Sequence, residues 1–336
     1  MKIVSYIHNG PEQAGLYINK KVYPLASLPG NLPATMDMLL KEWACYFPVL
    51  QKLSHGLEQD DRDSNDALSL KDIRLLAPVP HPPSCRDGYA FRQHVAAARR
   101  NRKAPMIPEF DEYPVFYFTN HNSITGPGDV CCMPDHFHKL DFELEAAIVI
   151  CKRGRNIKAH EADAYIGGLM IMNDFSARQL QMEEMLLNLG PAKGKDFATA
   201  TGPWLVTLDE LHRFEVAAKH GHTGKNWNLE MKCFVNNNQV SEGNLSEMDW
   251  TFAEIIERAS YGVDLFPGDV IGSGTVGTGC FLELNGTGKL NDPGYKEQWL
   301  QPGDVVRMDI EALGCLKNTI IADQSAFSIL LKKQQP

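Results

Sequence analysis

The sequence of 336 residues has few features of a secreted, membrane-spanning or zinc-binding protein. Its eight cysteines form no C-x-x-C pair and two are adjacent, a pattern that fits neither a zinc ribbon nor a disulfide framework. No stretch approaches the ~20 apolar residues that cross a bilayer, and the first residues lack the apolar core of a secretory signal. We therefore expect a reduced, cytoplasmic protein without a membrane partner.

An excess of positive charge is also missing. The chain has 42 acidic and 33 basic side chains, which gives a net charge of −9. Surfaces that bind nucleic acid usually carry a basic excess, so nucleic acid is not an expected partner. Neither a fixed-period repeat nor a glycine-rich nucleotide fingerprint is present. The content of 43% hydrophobic residues is typical of a globular protein with one large or two ordinary domains.

A proline-rich stretch divides the chain into two predicted domains. Residues 1–73 contain two strand-like segments and a long helical pattern, which predict a small α+β domain. Residues 77–84 hold four prolines, and because proline ends helices and favours extended backbone, we place the boundary there. The second predicted domain covers residues 78–333.

The second domain repeats a Pro-Gly-Asp turn at residues 127–129, 267–269 and 302–304. Proline presets the first turn position and glycine tolerates a positive φ at the next, so each turn should begin a strand. Residues 229–244 have the pattern of a hairpin. The predicted fold class is therefore α+β and mostly β.

Three acids alternate along one apolar segment, at Asp141, Glu143 and Glu145. Alternate residues of a strand point to the same face, so these carboxylates should project together and repel one another. Such a row is either the solvated end of a strand or a site for a hard cation. The spacing alone favours the solvated strand end.

Two further segments combine polar and titratable residues. Asp174 precedes a helical pattern in which Arg178 and Gln181 share a face, so it is either a helix cap or a ligand. His94 follows the proline-rich stretch and is either a base or a structural histidine. Glu283 comes after a glycine-rich turn, where the pattern by itself predicts a surface acid on a short strand.

Taken together, the separated motifs resemble the fumarylacetoacetate hydrolase superfamily over residues 78–330. The matching residues lie in the elements D-x-Y-x-x-R-Q-H, E-x-E, N-D-x-S-A-R-x-x-Q, G-K and G-T followed by L-E-L: Asp87, Tyr89, Arg92, Gln93, His94, Glu143, Glu145, Asn173, Asp174, Arg178, Gln181, Lys195, Thr275 and Glu283.

The resemblance implies a β-sandwich roll built around a divalent cation, Mg²⁺, Mn²⁺ or Ca²⁺. Its implied ligands are Asp87, Glu143, Glu145 and Asp174, an all-oxygen set that suits a hard cation. Asp141 matches no ligand position and is expected either at the surface or behind the ligands. The family also implies a homodimer.

The resemblance further implies a role for each remaining motif residue. The implied catalytic residues are His94, oriented by Glu283 to activate water, and Lys195 and Gln181, which would stabilise an enolate together with Arg178. The implied substrate-binding residues are Tyr89, Arg178, Thr275 and Tyr117. Residues 95–109 resemble a polar, basic flap, although a basic surface loop fits that segment equally well.

The predicted function is metal-dependent hydrolysis of a carbon–carbon bond in a 1,3-dioxo acid of the fumarylacetoacetate or acylpyruvate type. Met185 stands where fumarylacetoacetases commonly have a tyrosine, which weakens the assignment to fumarylacetoacetate itself. The alternatives are a 2-oxo acid hydratase, decarboxylase or isomerase of the same superfamily. A second alternative is an inert, metal-stabilised binding module.

Overall fold

The computed structural model describes residues 1–59 and 67–330. The predicted end of the second domain, residue 333, lies outside them. The α-helices are α1 (Met36–Lys41), α2 (Trp43–Gln59), α3 (Arg92–Asn101), α4 (Ala159–Ala162), α5 (Arg178–Met185), α6 (Leu208–Leu211), α7 (Phe252–Ser260) and α8 (Phe281–Asn291). The strands are β1 (Lys2–Ile7), β2 (Glu12–Ile18), β3 (Lys21–Pro24), β4 (Leu68–Ser69), β5 (Arg74–Leu75), β6 (Cys85–Gly88), β7 (Phe116–Thr119), β8 (Ile124–Thr125), β9 (Gly128–Cys132), β10 (Leu140–Asp141), β11 (Leu144–Ile150), β12 (Gly154–Arg155), β13 (Ile166–Asp174), β14 (Ser176–Ala177), β15 (Thr199–Thr207), β16 (Glu215–Ala217), β17 (Lys225–Trp227), β18 (Glu230–Val235), β19 (Asn238–Asn244), β20 (Asp264–Leu265), β21 (Val270–Gly272), β22 (Val305–Ile310) and β23 (Gly314–Ala322).

Two β-sheets dominate the molecule. The larger one has the order β4-β3-β2-β1-β15-β13-β11-β21-β6-β7, with β5 beside β1 and β8 beside β15. The smaller one has the order β19-β18-β22-β23-β9. The sheets contact each other through β15 with β23 and β13 with β22, and they enclose the main hydrophobic core. This arrangement confirms the prediction of a mostly β larger region.

Strand β11 contributes side chains to two hydrophobic cores, one on each face of the large sheet. Its Ala146 and Ile148 pack into the core between the two sheets. Ala147 and Val149 point to the opposite face and pack into a second core with residues of β1, β2, α1 and α2. Because both faces are covered, the strand is apolar along most of its length rather than alternating between polar and apolar residues.

The N-terminal strands and helices form where the sequence predicts them. β1 pairs with β2, β2 pairs with β3, and the long helical pattern becomes α1 and α2. β1 also pairs with β15, with Ile3 opposite Leu205. The N-terminal strands therefore extend the large sheet, and the division of the chain into two domains stays a prediction.

The three Pro-Gly-Asp turns and the hairpin are confirmed. Gly128, Gly268 and Gly303 have φ values of 123°, 94° and 91°, which glycine adopts without steric cost. β9, β21 and β22 begin at or just after these turns. The predicted hairpin is formed by β18 and β19.

One local prediction is wrong, because Glu283 lies in the first turn of α8 and not on a short strand. Residues 95–101 of the predicted basic flap belong to α3, so that part is not a loop, and the role as a flap stays a prediction. Gly286 and Gly288 lower the helix propensity of α8, and close packing leaves no room for a Cβ at either position. A Cβ at Gly286 would lie 2.4 Å from the side-chain nitrogen of Asn101, so this glycine lets α3 and α8 approach closely.

No helix in the described ranges is long and apolar enough to cross a membrane. All eight cysteines are free thiols.

Candidate active site

One cavity of about 690 Å³ collects most of the predicted site residues. Ten of the twelve predicted site residues line this cavity: Asp87, Tyr89, His94, Tyr117, Glu143, Arg178, Gln181, Lys195, Thr275 and Glu283. The other two, Glu145 and Asp174, are fully buried. Segments more than 180 residues apart in sequence therefore converge, as the resemblance implied.

Three carboxylates form what we call the acidic triad: Asp87, Glu143 and Glu145. One oxygen of each lies within 4.8 Å of the other two. The large sheet brings them together, because β21 lies between β6 and β11 and pairs with both. Gly272 of β21 leaves room for the triad, since a Cβ there would lie 2.4 Å from Asp87 Oδ1.

Two members of the triad have little compensation for their charge, and the carboxylate of Asp87 accepts a hydrogen bond of 3.1 Å from the backbone N–H of Gly274. Burial, reinforced by Asp174, raises the pKa of Asp87 to about 7. Burial and the neighbouring Asp87 hold the pKa of Glu145 well above its usual value. Glu145 Oε1 accepts a hydrogen bond of 3.2 Å from Thr275, but within the described residues no donor is bonded to Glu145 Oε2. An orphaned, buried oxygen in an all-carboxylate cluster fits a hard divalent cation.

Glu143 differs because two basic side chains bind it. Arg178 donates to Oε1 over 2.7 Å, and Lys195 donates to Oε2. Burial alone would raise the pKa of Glu143, but Lys195 and Arg178 lower it to about 2. Glu143 therefore stays ionised, and through it the acidic triad contacts Arg178 and Lys195.

Asp174 lies at the end of β13, and its carboxylate is hydrogen-bonded on both oxygens. Oδ2 accepts from Tyr117 and, over 2.8 Å, from Lys195, while Oδ1 accepts from Thr199 over 3.3 Å. The interpretation as a helix cap is wrong, because α5 begins only at Arg178 and has no side-chain cap. Its role as a fourth metal ligand stays a prediction.

His94 and Glu283 form a buried pair. His94 Nδ1 lies 2.7 Å from Glu283 Oε2, and both side chains belong to the first turns of their helices, α3 and α8. The Tyr89 ring stands edge-on to the imidazole, with 5.8 Å between centroids. A carboxylate at Nδ1 favours the tautomer with its proton there, which leaves Nε2 to accept a proton.

Arg178 and Asp141 lie fully within the protein. Arg178 Nε donates to Asp141 Oδ2 over 2.8 Å, and NH1 donates to Gln181 over 3.0 Å, which confirms the shared helix face. Asp141 has no exposed surface, so its surface interpretation is wrong; it lies behind Arg178. Glu143 and Glu145 do lie together in the acidic triad, but Asp141 belongs to the separate strand β10, and burial of all three acids makes the predicted solvated strand end wrong.

Several further residues line the cavity that the sequence motifs did not indicate. They are Asn101, Val115, Phe116, Lys139, Met182, Asn285, Lys289, Glu297 and Trp299, among others. Met185, the position without the family tyrosine, also lines the cavity and is half exposed. Recognising α8 as a helix would have indicated Asn285 and Lys289, because they follow Leu282 at successive spacings of three and four residues and therefore share one helix face, which lines the cavity.

One cavity of a two-sheet fold therefore brings together a buried acidic cluster, whose oxygens could hold a metal ion, and a His–Glu pair. Residues 84–321 match the family described as fumarylacetoacetate (FAA) hydrolase C-terminal. The chain therefore belongs to the fumarylacetoacetate hydrolase family. The family resemblance and the fold class that it implied are confirmed.

Curated relatives include enzymes with different reactions. The human protein named oxaloacetate tautomerase FAHD2A, mitochondrial, is 32% identical over 309 residues, covering 89% of this chain and 84% of that protein. Fumarylacetoacetase from Oryza sativa is 28% identical over 348 residues, covering 84% and 78%. The solved fumarylacetoacetate hydrolase from Exiguobacterium antarcticum is 26% identical with a TM-score of 0.65, covering 96% and 100%. The homodimer and the cytoplasmic location stay predictions.

Proposed function

We propose that this protein is a divalent-metal-dependent enzyme that moves a proton on a 2-oxo acid, with keto–enol tautomerisation as its reaction. The observation that carries the proposal is the His94–Glu283 pair, whose 2.7 Å contact holds an imidazole in the same cavity as the acidic triad. The name of the human relative supports an oxaloacetate-like substrate.

The acidic triad, with Asp174 as a predicted fourth ligand, would hold Mg²⁺, Mn²⁺ or Ca²⁺. When bound, the cation would supply positive charge that polarises the substrate's carbonyl. Its presence would also offset the repulsion between Asp87 and Glu145, whose pKa values are raised by burial and by the neighbouring carboxylates.

His94 would carry out the proton transfer. Its Nε2 would accept the proton from the carbon next to the carbonyl while the C–H electron pair forms the carbon–carbon double bond. Glu283 would stabilise the resulting imidazolium and keep the ring oriented. Return of the proton to the oxygen, directly or through water, would complete the tautomerisation.

Gln181 and Lys195 would interact with the negative charge that develops on substrate oxygen. Gln181 Oε1 already accepts from Arg178, which leaves its amide N–H groups as donors to the cavity. Asp174 and Glu143 raise the pKa of Lys195 above its ordinary value despite burial, so this side chain stays a cation. Lys195 would therefore supply a positive charge near the substrate and would not accept a proton from it.

Hydrolysis of a carbon–carbon bond in a 1,3-dioxo acid is the second candidate. The same imidazole would take a proton from water, and the resulting hydroxide would add to the carbonyl. The carbon–carbon bond would then break, its electron pair would leave as an enolate, and the imidazolium would return the proton to that carbon. The fumarylacetoacetase relatives support this reaction, and the cavity of about 690 Å³ has room for a substrate larger than a four-carbon acid. A hydratase, a decarboxylase and an inert binding module are the remaining alternatives.

Product analysis separates these candidates. Purified protein with Mn²⁺ is incubated with oxaloacetate and, separately, with an acylpyruvate, and the products are followed by NMR. Accelerated keto–enol exchange without new acids supports the tautomerase, whereas two shorter acids from the acylpyruvate support the hydrolase. Hydrated products or CO₂ would indicate the lyase alternatives.

A matched pair of histidine variants tests the assignment of the base. His94→Ala should lower turnover about 1000-fold. His212→Ala should leave it unchanged, because that side chain is 84% exposed and lies outside the cavity. Equal activity of the two variants would reject His94 as the base. Wild-type protein without turnover of any oxo acid would leave the inert module as the explanation.

A further inference from the structure

A hydrogen-bonded path runs from the acidic triad to the start of α8, and Asp141 is at its centre. Arg178 binds Glu143 through NH2 at 2.7 Å and Asp141 through Nε at 2.8 Å. Asp141 in turn accepts from the backbone N–H groups of Phe281 at 2.7 Å and Leu282 at 2.9 Å. One carboxylate therefore holds both the arginine and the first turn of the helix.

Helix α8, whose first N–H groups bind Asp141, also carries Glu283 of the His94–Glu283 pair. Glu283 directly follows Leu282, and its carboxylate lies 2.7 Å from His94. The N-cap residue of α8, Cys280, makes no side-chain capping bond. Asp141 supplies that cap from a distant segment, and its negative charge favours the helix N-terminus.

We propose that Asp141 is a positioning residue that sets Glu283, and through it His94, at the required place relative to Arg178 and Glu143. This role rests on the proposed function only insofar as turnover depends on His94. Asp141 does not line the cavity, so it acts through the residues that it holds and not on the substrate.

The chemistry of the site requires a carboxylate at this position. Oδ1 accepts from Phe142 at 2.9 Å and from Phe281, and Oδ2 accepts from Leu282 and Arg178. An asparagine would replace one oxygen by an NH₂ group, which would face two donors. With no exposed surface at residue 141, bulk water does not replace the lost bonds.

The first experiment separates turnover from metal binding. We expect Asp141→Asn to lower kcat about 100-fold, the scale of losing a well-placed acid–base group, while KM changes less than about threefold. Mn²⁺ affinity, measured by titration calorimetry, should change less than about threefold because the triad remains. Unchanged kcat would overturn the proposal.

A double-mutant cycle with Glu283→Gln tests whether Asp141 acts through Glu283. If it does, the double variant should have nearly the turnover of Glu283→Gln alone, because the second change removes positioning that is already lost. Fully multiplicative losses would overturn the proposal. If Asp141 only stabilised the fold, the losses of turnover in the two single variants should multiply in the double variant.

A spectroscopic readout is independent of any substrate. The His94 Nδ1 proton, bonded to a buried carboxylate, should give a downfield ¹H resonance that is absent from His94→Ala. We expect Asp141→Asn to shift or broaden this resonance, and an unchanged resonance would count against the role. If wild-type protein converts no oxo acid, the proposed function fails, but this measurement still decides the role of Asp141.

Asp135→Asn is the matched control. Asp135 is also a buried acid that accepts from two backbone N–H groups, those of Ile329 and Leu330, but it does not line the cavity. It should leave kcat and the histidine resonance unchanged, and equal losses in both variants would overturn the proposal. If Asp141→Asn does not fold, Asp141→Glu takes its place with an expected loss above tenfold, and wild-type turnover in it would reject the role.

Discussion

Asp141 and Glu145 are two buried acids four residues apart, and their surroundings differ completely. Both have no exposed surface. Asp141 is bonded to Arg178 and to three backbone N–H groups. Glu145 accepts one hydrogen bond, from Thr275, and its second oxygen has no donor among the described residues.

The difference is one of charge compensation: the protein itself neutralises the carboxylate of Asp141, whereas it gives the carboxylate of Glu145 a single hydrogen bond. Burying a carboxylate is costly unless donors or cations compensate it. The fold supplies that compensation to Asp141, whereas Glu145 accepts one hydrogen bond and Asp87 Oδ1 accepts one from the backbone N–H of Gly274. The comparison therefore supports the proposal that the acidic triad binds the cation and that Asp141 positions the base.

The largest expected effect is a loss of turnover without a loss of metal affinity when the proposed base, His94, is replaced. His94→Ala should lower kcat about 1000-fold, since general-base catalysis contributes roughly 10²–10⁴. Mn²⁺ affinity should remain within about twofold, because the imidazole is not among the triad. Steady-state kinetics and calorimetric titration of the same preparation check both statements, and a parallel loss of metal binding would break the comparison.

Glu145→Gln should have the next largest effect, on metal affinity. The change keeps the shape of the side chain but removes the charge of the uncompensated acid, so Mn²⁺ should bind about 100-fold more weakly. Calorimetric titration measures the difference. Unaltered affinity would show that Glu145 is not a ligand.

Thermal stability gives a third test. At a free Mn²⁺ concentration of 100 times Kd, binding should stabilise the wild-type fold by about 2.7 kcal/mol and raise Tm by roughly 5 °C. The same Mn²⁺ concentration should shift Glu145→Gln much less. Differential scanning calorimetry checks this, and equal shifts in both proteins would contradict the assignment of the ion to the triad.

The smallest effect concerns pH in the metal-free protein. The folded pKa of Asp87, about 7, exceeds its ordinary value of 3.8, so between these pH values the folded state keeps a proton that the unfolded chain releases. The stability that this group contributes is therefore present at low pH and is lost as pH rises through about 7. Urea unfolding in EDTA should show this decline in wild type, and a weaker one in Asp87→Asn. Identical pH dependence would reject the raised pKa.

Much of the site could be predicted because its motifs are local and specific. The spacing of Arg178 and Gln181 predicted their shared face, and the three Pro-Gly-Asp turns predicted strand starts that the backbone confirms. The family resemblance selected residues that converge on one cavity. Each of these predictions depends on neighbouring residues or on a motif that a short stretch contains.

The failures have a common physical cause. Glu283 was expected on a strand because it follows a glycine-rich turn, whereas it lies in a helix that starts where the distant Asp141 accepts hydrogen bonds from its N–H groups. Asp141 was given a possible surface position because exposed acids are common. Nothing in the local sequence indicates the arginine that neutralises it, since Arg178 comes from another element.

By itself, the sequence determined the mostly β fold class, through turn chemistry and alternation, and the family, through separated motifs that resemble it; the choice of acids and of the histidine at the site is what that resemblance implied. Only the tertiary structure decided which acid is compensated and which is not. Charge compensation depends on distances between side chains from separate strands and helices, and these distances exist only once the sheets and helices have packed.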